Sequence, residues 1–277
     1  MRAVAALLVV AALPVSPAGA KSWADAGPDD KVAINLPVDV ALTSAGLVAF
    51  VVPELLKESL APASCVVCNR DLNGVDAGFH DALTGWGLPR KTADTASNVW
   101  AFALLPLASV GGALVATGPH ASDGAGFRAA VIVFESTVLS AATVQGVKFF
   151  VARERPYARY GHGDGTATYS LSDRDSHLGF PSGHAALATS LGVSLAMTAS
   201  LQDSRAAPWL WGAAAAMSIS TGALRMIAEK HYFTDVAAGA LLGAASGVLV
   251  PLFHRRGSAL GGQLSVTPSV VSVAFAM

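Results

Sequence analysis

Three short polar stretches interrupt an otherwise apolar part of the chain: residues 148–156 (Lys-Phe-Phe-Val-Ala-Arg-Glu-Arg-Pro), 181–184 (Pro-Ser-Gly-His) and 225–235 (Arg-Met-Ile-Ala-Glu-Lys-His-Tyr-Phe-Thr-Asp). Together they supply three well-placed cations, two histidines, one carboxylate and a Ser-Gly turn that leads into an apolar run. This inventory fits the binding and attack of a phosphate group. We therefore expect a fold that brings the three stretches together, with the rest of the chain as scaffold.

In the first stretch, Lys148 and Arg155 are seven residues apart, which is two helical turns, so both are expected on one side of a helix end. Pro156 disfavours helix at Arg155 and helps to turn the chain out. Two such cations could bind phosphate, or they could be interfacial residues whose charged ends reach out of the membrane.

The second stretch opens the apolar run Ala185–Leu201. Ser182 is a good N-cap, and Gly183 lets a ligand approach the backbone closely. The first amides of the helix are unpaired and lie at its positive end, where they favour an anion. His184 could donate or accept a proton there near neutral pH. The alternative is an ordinary capped helix with a surface histidine.

In the third stretch, His231 and Asp235 are four residues apart, a spacing that places them on one helical face. A carboxylate bonded to one ring nitrogen would leave the other nitrogen as a nucleophile. Arg225 precedes His231 by six residues and cannot share that face, so a bend is needed if both reach one pocket. A purely structural His-Asp pair is the alternative.

In order and spacing the three stretches resemble the signature of the type 2 phosphatidic acid phosphatase (PAP2) superfamily: Lys-x6-Arg-Pro, Pro-Ser-Gly-His and Ser-Arg-x5-His-x3-Asp. Every position matches except Leu224, which stands where the signature has Ser. This departure removes one hydroxyl near the pocket and leaves every charged and proton-transfer group in place. The resemblance covers about residues 99–253, and residues 21–97 carry none of it.

The resemblance implies a helical bundle whose three stretches converge on one pocket, and it implies a role for each group. His231, oriented by Asp235, would attack phosphorus, and His184 would protonate the leaving oxygen and then activate water. The phosphoryl oxygens would be held by Lys148, Arg155, Ser182, Gly183 and Arg225. Neither a metal site nor a cofactor is assigned, because three cations can do the work of Mg²⁺.

Composition favours a membrane protein. Of 277 residues, 53% are hydrophobic and 13% are charged, against a usual charged share of about 25%. The mean hydropathy is +0.51, and the net charge of −1 gives no basic excess that would indicate a nucleic-acid partner. We predict an all-α bundle with about five, alternatively six, transmembrane helices; a soluble protein with unusually buried helices is the alternative.

Five apolar segments are long enough to span a bilayer: Val99–Gly118, Ala129–Val147, Ala185–Leu201, Ala207–Leu224 and Val236–Phe253. Val38–Val52 is shorter, at about fifteen residues before Pro53, so a packed or interfacial helix competes there with a spanning one. Glu135 lies within a predicted span, and we interpret it as a carboxylate hydrogen-bonded inside the bundle, with a functional role as the alternative.

The predicted organisation has four parts: a signal peptide at residues 1–20, an N-terminal periplasmic or interfacial segment at 21–97, a PAP2-like phosphatase domain at 98–254 and a tail at 255–277 that turns strand-like. Residues 53–97 are expected to form a solvated loop with short helices. In an exported protein, Cys65 and Cys68 favour a small-loop disulfide. A redox motif would need a βαβ pattern that is absent here.

The function predicted from the sequence is metal-independent hydrolysis of a phosphorylated membrane lipid, phosphatidate-like or polyprenyl pyrophosphate-like, through a phosphohistidine. The alternatives are a soluble periplasmic acid phosphatase, a vanadate-dependent haloperoxidase and a non-catalytic membrane protein. With residue 21 outside and Val38–Val52 not spanning, the pocket would face the periplasm from a bacterial inner membrane, with His254, Arg255 and Arg256 inside. The oligomeric state is left open.

Overall fold

The computed structural model describes residues 26–68 and 72–257, and the backbone of 263–267 and 270–274. The expected signal peptide lies outside the described residues. The all-α prediction is confirmed by helices α1 (Leu36–Leu55), α2 (Lys57–Leu60), α3 (Gly74–Thr84), α4 (Arg90–Val99), α5 (Leu105–Val115), α6 (Ala125–Val151), α7 (Pro156–Arg159), α8 (Gly183–Leu201), α9 (Ala207–Ile227) and α10 (Phe233–Phe253). A π-helical turn, Trp100–Leu104, joins α4 to α5, and a 3₁₀ turn covers Arg174–His177. The strand-like tail is an antiparallel hairpin of β1 (Gln263–Thr267) and β2 (Val270–Ala274).

Helix α8 is the centre of the bundle, with α6, α9 and α10 packed around it. Its buried face consists mainly of alanine, serine and other small or aliphatic residues. Gly247 of α10 lies so close to α8 that a Cβ added to it would come within 2.9 Å of the Val193 side chain. Small residues at the contact let helix backbones approach closely, which is how membrane helices gain packing energy.

Five helical stretches are long and apolar enough to cross a membrane: Leu36–Leu55, Arg90–Val115, Ala125–Val151, Gly183–Leu201 and Phe233–Phe253. These five helices indicate a membrane protein. The apolar segment that ends at Pro53 was expected to be too short to span the membrane. This expectation was wrong, because the segment belongs to a helix of 20 residues. Pro53 falls in the last turn of α1, where it does not end the helix. The predicted span Ala207–Leu224 is not among the five. It lies in α9, which is 21 residues long but less apolar than these helices.

The helices run between two ends of the bundle. Helices α6 and α9 finish, and α8 and α10 begin, at one end, which we call the pocket end. Helix α1 lies along α6 with its carboxyl terminus at the pocket end, because Glu54 accepts a hydrogen bond from Gln145 at 3.2 Å. Near the opposite end, Asp39 of α1 and Glu135 of α6 both contact His254. Residue 36 and the pocket therefore lie at opposite ends.

Candidate active site

His231 lies in the short connection between α9 and α10 and is 2% exposed. Its Nδ1 is 2.6 Å from the carbonyl oxygen of Gly179. Because a carbonyl only accepts hydrogen bonds, Nδ1 carries the proton and Nε2 keeps its lone pair. Burial, reinforced by Arg155 and Arg225, holds the pKa of His231 well below its usual range. The imidazole is therefore neutral near pH 7, as a nitrogen nucleophile must be.

Asp235 does not form the predicted hydrogen bond to His231. Its Oδ2 is 3.9 Å from His231 Nδ1, which is too long. The carboxylate instead accepts the backbone N–H of Tyr232 at 2.8 Å and a hydrogen bond from Arg153. The expectation of one helical face failed because His231 precedes α10, whereas Asp235 lies in its first turn and caps it. Asp235 fixes the start of α10, and Gly179 fixes the histidine tautomer.

Arg155 approaches the nucleophilic nitrogen of His231. Its Nη1 is 3.5 Å from His231 Nε2 and donates to the carbonyl of Lys230 at 3.1 Å. Asp175 accepts from Arg155 twice, through its backbone oxygen at 2.7 Å and its carboxylate at 3.1 Å. The prediction that Arg155 shares a helix end with Lys148 was wrong. Helix α6 ends at Val151, and Arg155 is the N-cap residue of α7.

Lys148 and the Ser-Gly turn lie on the other side of the pocket. Lys148 is in the last turn of α6, and its Nζ would be 3.4 Å from a Cβ placed on Gly183. Ser182 is the N-cap of α8, as predicted, and its hydroxyl accepts the N–H of Ala185 at 3.4 Å. Ser182 is 0% exposed, and its hydroxyl caps the helix. The half-buried Gly183 and Lys148 form that part of the rim.

Arg225 lies in the last turn of α9, and the chain bends directly after it, as the sequence required. Its Nη1 donates to Asp94 at 2.6 Å and to the hydroxyl of Ser97 at 2.9 Å. Asp94 and Arg225 are both nearly buried. The pair therefore fixes the guanidinium from the side of α4, a helix that the PAP2 signature does not include.

His184 lies in the first turn of α8 and is half-buried. Its Nε2 is 2.7 Å from the side-chain oxygen of Asn98, also on α4. The ring of Phe102 packs edge-on against the imidazole at 4.8 Å between centroids. One ring nitrogen is thus oriented by Asn98, and the other is left for proton transfer.

Several functional neighbours were missed by the sequence analysis. The polar network behind the predicted residues includes Asp76, Asp94, Asn98, Arg153, Asp175 and Lys230. Three of them come from residues 21–97 or from the adjoining turn of α4, to which we had given no role. The signal available in the sequence was weak: Asp94 and Asn98 are four residues apart on one face of α4.

Lys230 is an additional cation beside the nucleophile. It is 4% exposed and lies 3.9 Å from the ring centroid of Tyr169 and 4.7 Å from that of Tyr157. Burial, with Arg155 nearby, lowers the pKa of Lys230 to about 7. By contrast, although burial alone would raise it, the pKa of Asp175 is held below its usual range by Arg155 and Lys57. Asp175 therefore stays ionised, and its negative charge partly offsets the positive charge of Arg155 next to His231.

Within the described part of the chain, no group of three metal ligands lies in the pocket. Among the described residues, the group of three His, Asp or Glu side chains close enough to share one ion is Asp39, Glu135 and His254, and it lies toward the other end of the bundle. A cleft of about 470 Å³ also opens at that other end, lined in part by Asp30 and His120. None of the signature residues lines this cleft, so it is separate from the candidate active site.

Comparison with known proteins agrees with the geometry. The family model for the PAP2 superfamily matches residues 129–258. No curated protein matches the chain. The matched segment contains all eight predicted site residues, whereas Asp76, Asp94 and Asn98 precede it. Residues 129–258 therefore form a PAP2-superfamily segment, and this match implies a phosphatase-type activity.

Proposed function

We propose that the protein is a metal-independent phosphatase that hydrolyses phosphate monoesters or pyrophosphates of membrane lipids through a phosphohistidine on His231. One observation carries the proposal: His231 donates from Nδ1 to Gly179, so its lone-pair nitrogen faces Arg155. A neutral imidazole so held has one nitrogen available for in-line attack on phosphorus. A guanidinium beside that nitrogen can bind the phosphoryl oxygens that the attack rearranges.

The cations surround the expected position of the phosphoryl group. Lys148, Arg155 and Arg225 come from three different elements and approach one pocket, so they can contact different oxygens. Preorganised positive charge in a site with little water stabilises the negative charge that develops in the transition state. Arg155 and Arg225 are each paired with one carboxylate, which orients them without occupying all their donors.

In the first step, His231 Nε2 would form a bond to phosphorus while the bond to the leaving oxygen breaks. His184 would give a proton to that oxygen, and the alcohol or phosphate product would leave. Burial and Arg225 disfavour the protonated form of His184, so the negative charge of the bound phosphate would have to offset both for this role. In the second step, neutral His184 would take a proton from water as the water oxygen attacks the phosphohistidine. This step releases inorganic phosphate and restores both histidines.

A lipid substrate is supported by the apolar surroundings of the pocket. Phe102, which packs on His184, is 59% exposed, and Phe150, two residues after Lys148, is 85% exposed. Both extend the apolar surface of membrane-length helices up to the rim. A substrate whose leaving group is apolar could keep its chain against this surface while its phosphate enters the pocket.

We further propose that the pocket faces the periplasm. Cys65 and Cys68 form a disulfide, as predicted, and the segment that holds them bonds at the pocket end, where Val66 donates to Ala152 at 3.0 Å. Disulfides persist in oxidising compartments. At the opposite end, Arg255 and Arg256 are exposed, in keeping with a cytoplasmic face.

This orientation conflicts with the cleaved signal peptide that the sequence predicts, once α1 is counted as a span. If α1 spans the membrane, residue 36 and the pocket lie on opposite sides. A cleaved signal peptide would place residue 36 outside and the pocket inside, so it excludes a periplasmic pocket. A reporter fused after Phe253 should be cytoplasmic; a periplasmic reporter would reverse the orientation.

The function is tested by phosphate release from purified wild type and His231→Ala, on phosphatidate, a polyprenyl pyrophosphate and p-nitrophenyl phosphate, with EDTA present. Release from a lipid that persists in EDTA and disappears in the variant is expected. Release from the soluble ester alone would favour the acid-phosphatase alternative. Absence of release from all three would favour a non-catalytic protein.

A further inference from the structure

We propose a second, separate site: a zinc-binding site formed by Asp39 of α1, Glu135 of α6 and His254 at the end of α10. The ligand atoms of the three side chains all lie within 4.8 Å of one another. They come from three elements that are far apart in sequence, which is why the sequence analysis assigned no metal ligands. The site would be a binding site for a divalent transition metal of the zinc class and would take no part in the hydrolysis.

The two histidine–carboxylate distances fit a tetrahedral metal better than strong, charge-assisted hydrogen bonds. His254 Nε2 is 3.4 Å from Asp39 Oδ1 and 3.4 Å from Glu135 Oε2. A strong hydrogen bond between an imidazolium and a carboxylate would be about 2.7–2.9 Å. Two ligand atoms that bind one tetrahedral zinc at about 2.0–2.2 Å are roughly 3.3–3.6 Å apart.

The histidine is held as metal-binding histidines are. His254 Nδ1 is 2.9 Å from the carbonyl oxygen of Val250, so Nδ1 donates and Nε2 points its lone pair toward the carboxylates. Metal-bound histidines almost always donate their other ring N–H to a carbonyl, a carboxylate or water. Without a cation, an imidazole lone pair would face two carboxylate oxygens.

Buried oxygen atoms without hydrogen-bond partners also indicate a ligand. Glu135 is 2% exposed and Asp39 is 5% exposed. Glu135 Oε2 and Asp39 Oδ2 have no hydrogen-bond partner among the described residues. The expected hydrogen bond of Glu135 inside the bundle is therefore not made by Oε2. Buried polar atoms are normally paired, so two such atoms in one cluster require a partner.

Charge balance favours a divalent ion over a proton. Both ion pairs of the cluster are to His254, so two carboxylates share one imidazole. With both carboxylates ionised, a single proton on the histidine would leave a net charge of −1 in an apolar part of the bundle, which is costly. A divalent cation with a neutral imidazole makes the cluster neutral. The three protein ligands would leave a fourth position for water.

The site is distant from the catalytic pocket. Glu135 and Lys148 are 13 residues apart on α6, which corresponds to roughly 20 Å along the helix. A metal there would tie α1 to the PAP2 bundle, because Asp39 precedes the matched segment. Its effect should therefore be on metal content and stability.

The test uses the full chain purified in detergent, stripped with a chelator and then dialysed against Zn²⁺ or Co²⁺. We expect about one bound zinc per chain in wild type, a rise in melting temperature on its addition, and the visible absorption of tetrahedral Co²⁺. Glu135→Gln, Asp39→Asn and His254→Ala should each bind at least ten-fold more weakly. The first two substitutions preserve shape, so at least one should fold even if His254→Ala does not.

Two control variants locate the metal. His120→Ala removes an exposed histidine at the same end, and His231→Ala removes a histidine of the pocket; both should bind as wild type does. The proposal is overturned if wild type binds no zinc, if Glu135→Gln binds as tightly as wild type, or if His231→Ala loses the metal. None of these results depends on phosphate release, so the site and the proposed function can fail separately.

Discussion

Replacing Asp94 by Asn tests whether a residue outside the PAP2 match positions a residue inside it. Asp94 lies on α4 and accepts a hydrogen bond of 2.6 Å from Arg225, 131 residues later. Asn keeps the shape and an acceptor oxygen but removes the charge. The guanidinium would then be buried beside a neutral amide and held only loosely toward the phosphate.

The expected loss follows from the type of bond. A hydrogen bond to a charged group contributes about 1.5–3 kcal/mol, and about 1.4 kcal/mol corresponds to a factor of ten. Asp94→Asn should therefore lower kcat/KM for phosphate release by about 10- to 100-fold. Ser97→Ala removes only a neutral partner of Arg225 and should cost about 1 kcal/mol, a factor of about five.

A double-mutant cycle separates positioning from general damage. If Asp94 acts through Arg225, Asp94→Asn should have little further effect on kcat/KM in an Arg225→Ala background. Asp81→Asn, whose side chain is 80% exposed, is the matched control and should be silent. Asp94 does not position Arg225 if Asp94→Asn retains wild-type activity, or if it lowers activity equally with and without Arg225. Melting temperatures exclude unfolding as the cause.

Three further predictions concern pH, packing and substrate. Because burial and Arg155 lower the pKa of His231 below 6.5, the acidic limb of kcat/KM should lie below that pH; Arg155→Gln should move it upward, and an unmoved limb would argue against this assignment. Gly239→Ala would place a Cβ against the carbonyl of the serine that caps α8, so activity and melting temperature should both fall. The control variant Gly212→Ala has open space around its Cβ and should change neither. Phe102→Ala should raise KM for a lipid phosphate several-fold more than KM for p-nitrophenyl phosphate; equal effects would remove the argument for a lipid contact.

The helical bundle could be predicted because apolar runs of 17–20 residues leave few alternatives to helices in a membrane. The length of the helix that contains Pro53 was underestimated, because this proline was interpreted as the end of the apolar segment although it lies in the last turn of α1. The bend after Arg225 could also be derived, because six residues of helix cannot place Arg225 and His231 on one face.

The partners of the site residues could not be predicted, because sequence spacing says nothing about contacts between distant elements. Gly179 and His231 are 52 residues apart, and Asp94 and Arg225 are 131 apart. For Asp235, sequence spacing predicted a contact that the structure does not make. Its spacing from His231 indicated a helical pair, but the capping of α10 and the ion pair with Arg153 hold the carboxylate instead.

The central claim is that His231 carries the phosphoryl group, and trapping the phosphorylated enzyme tests it most directly. Wild type would be mixed with a lipid whose phosphate is radiolabelled, quenched with base within one turnover and digested. The account predicts an acid-labile label on the peptide that contains His231 and no label in His231→Ala. A label on His184, or phosphate release by wild type without any labelled protein at any quench time, would contradict it.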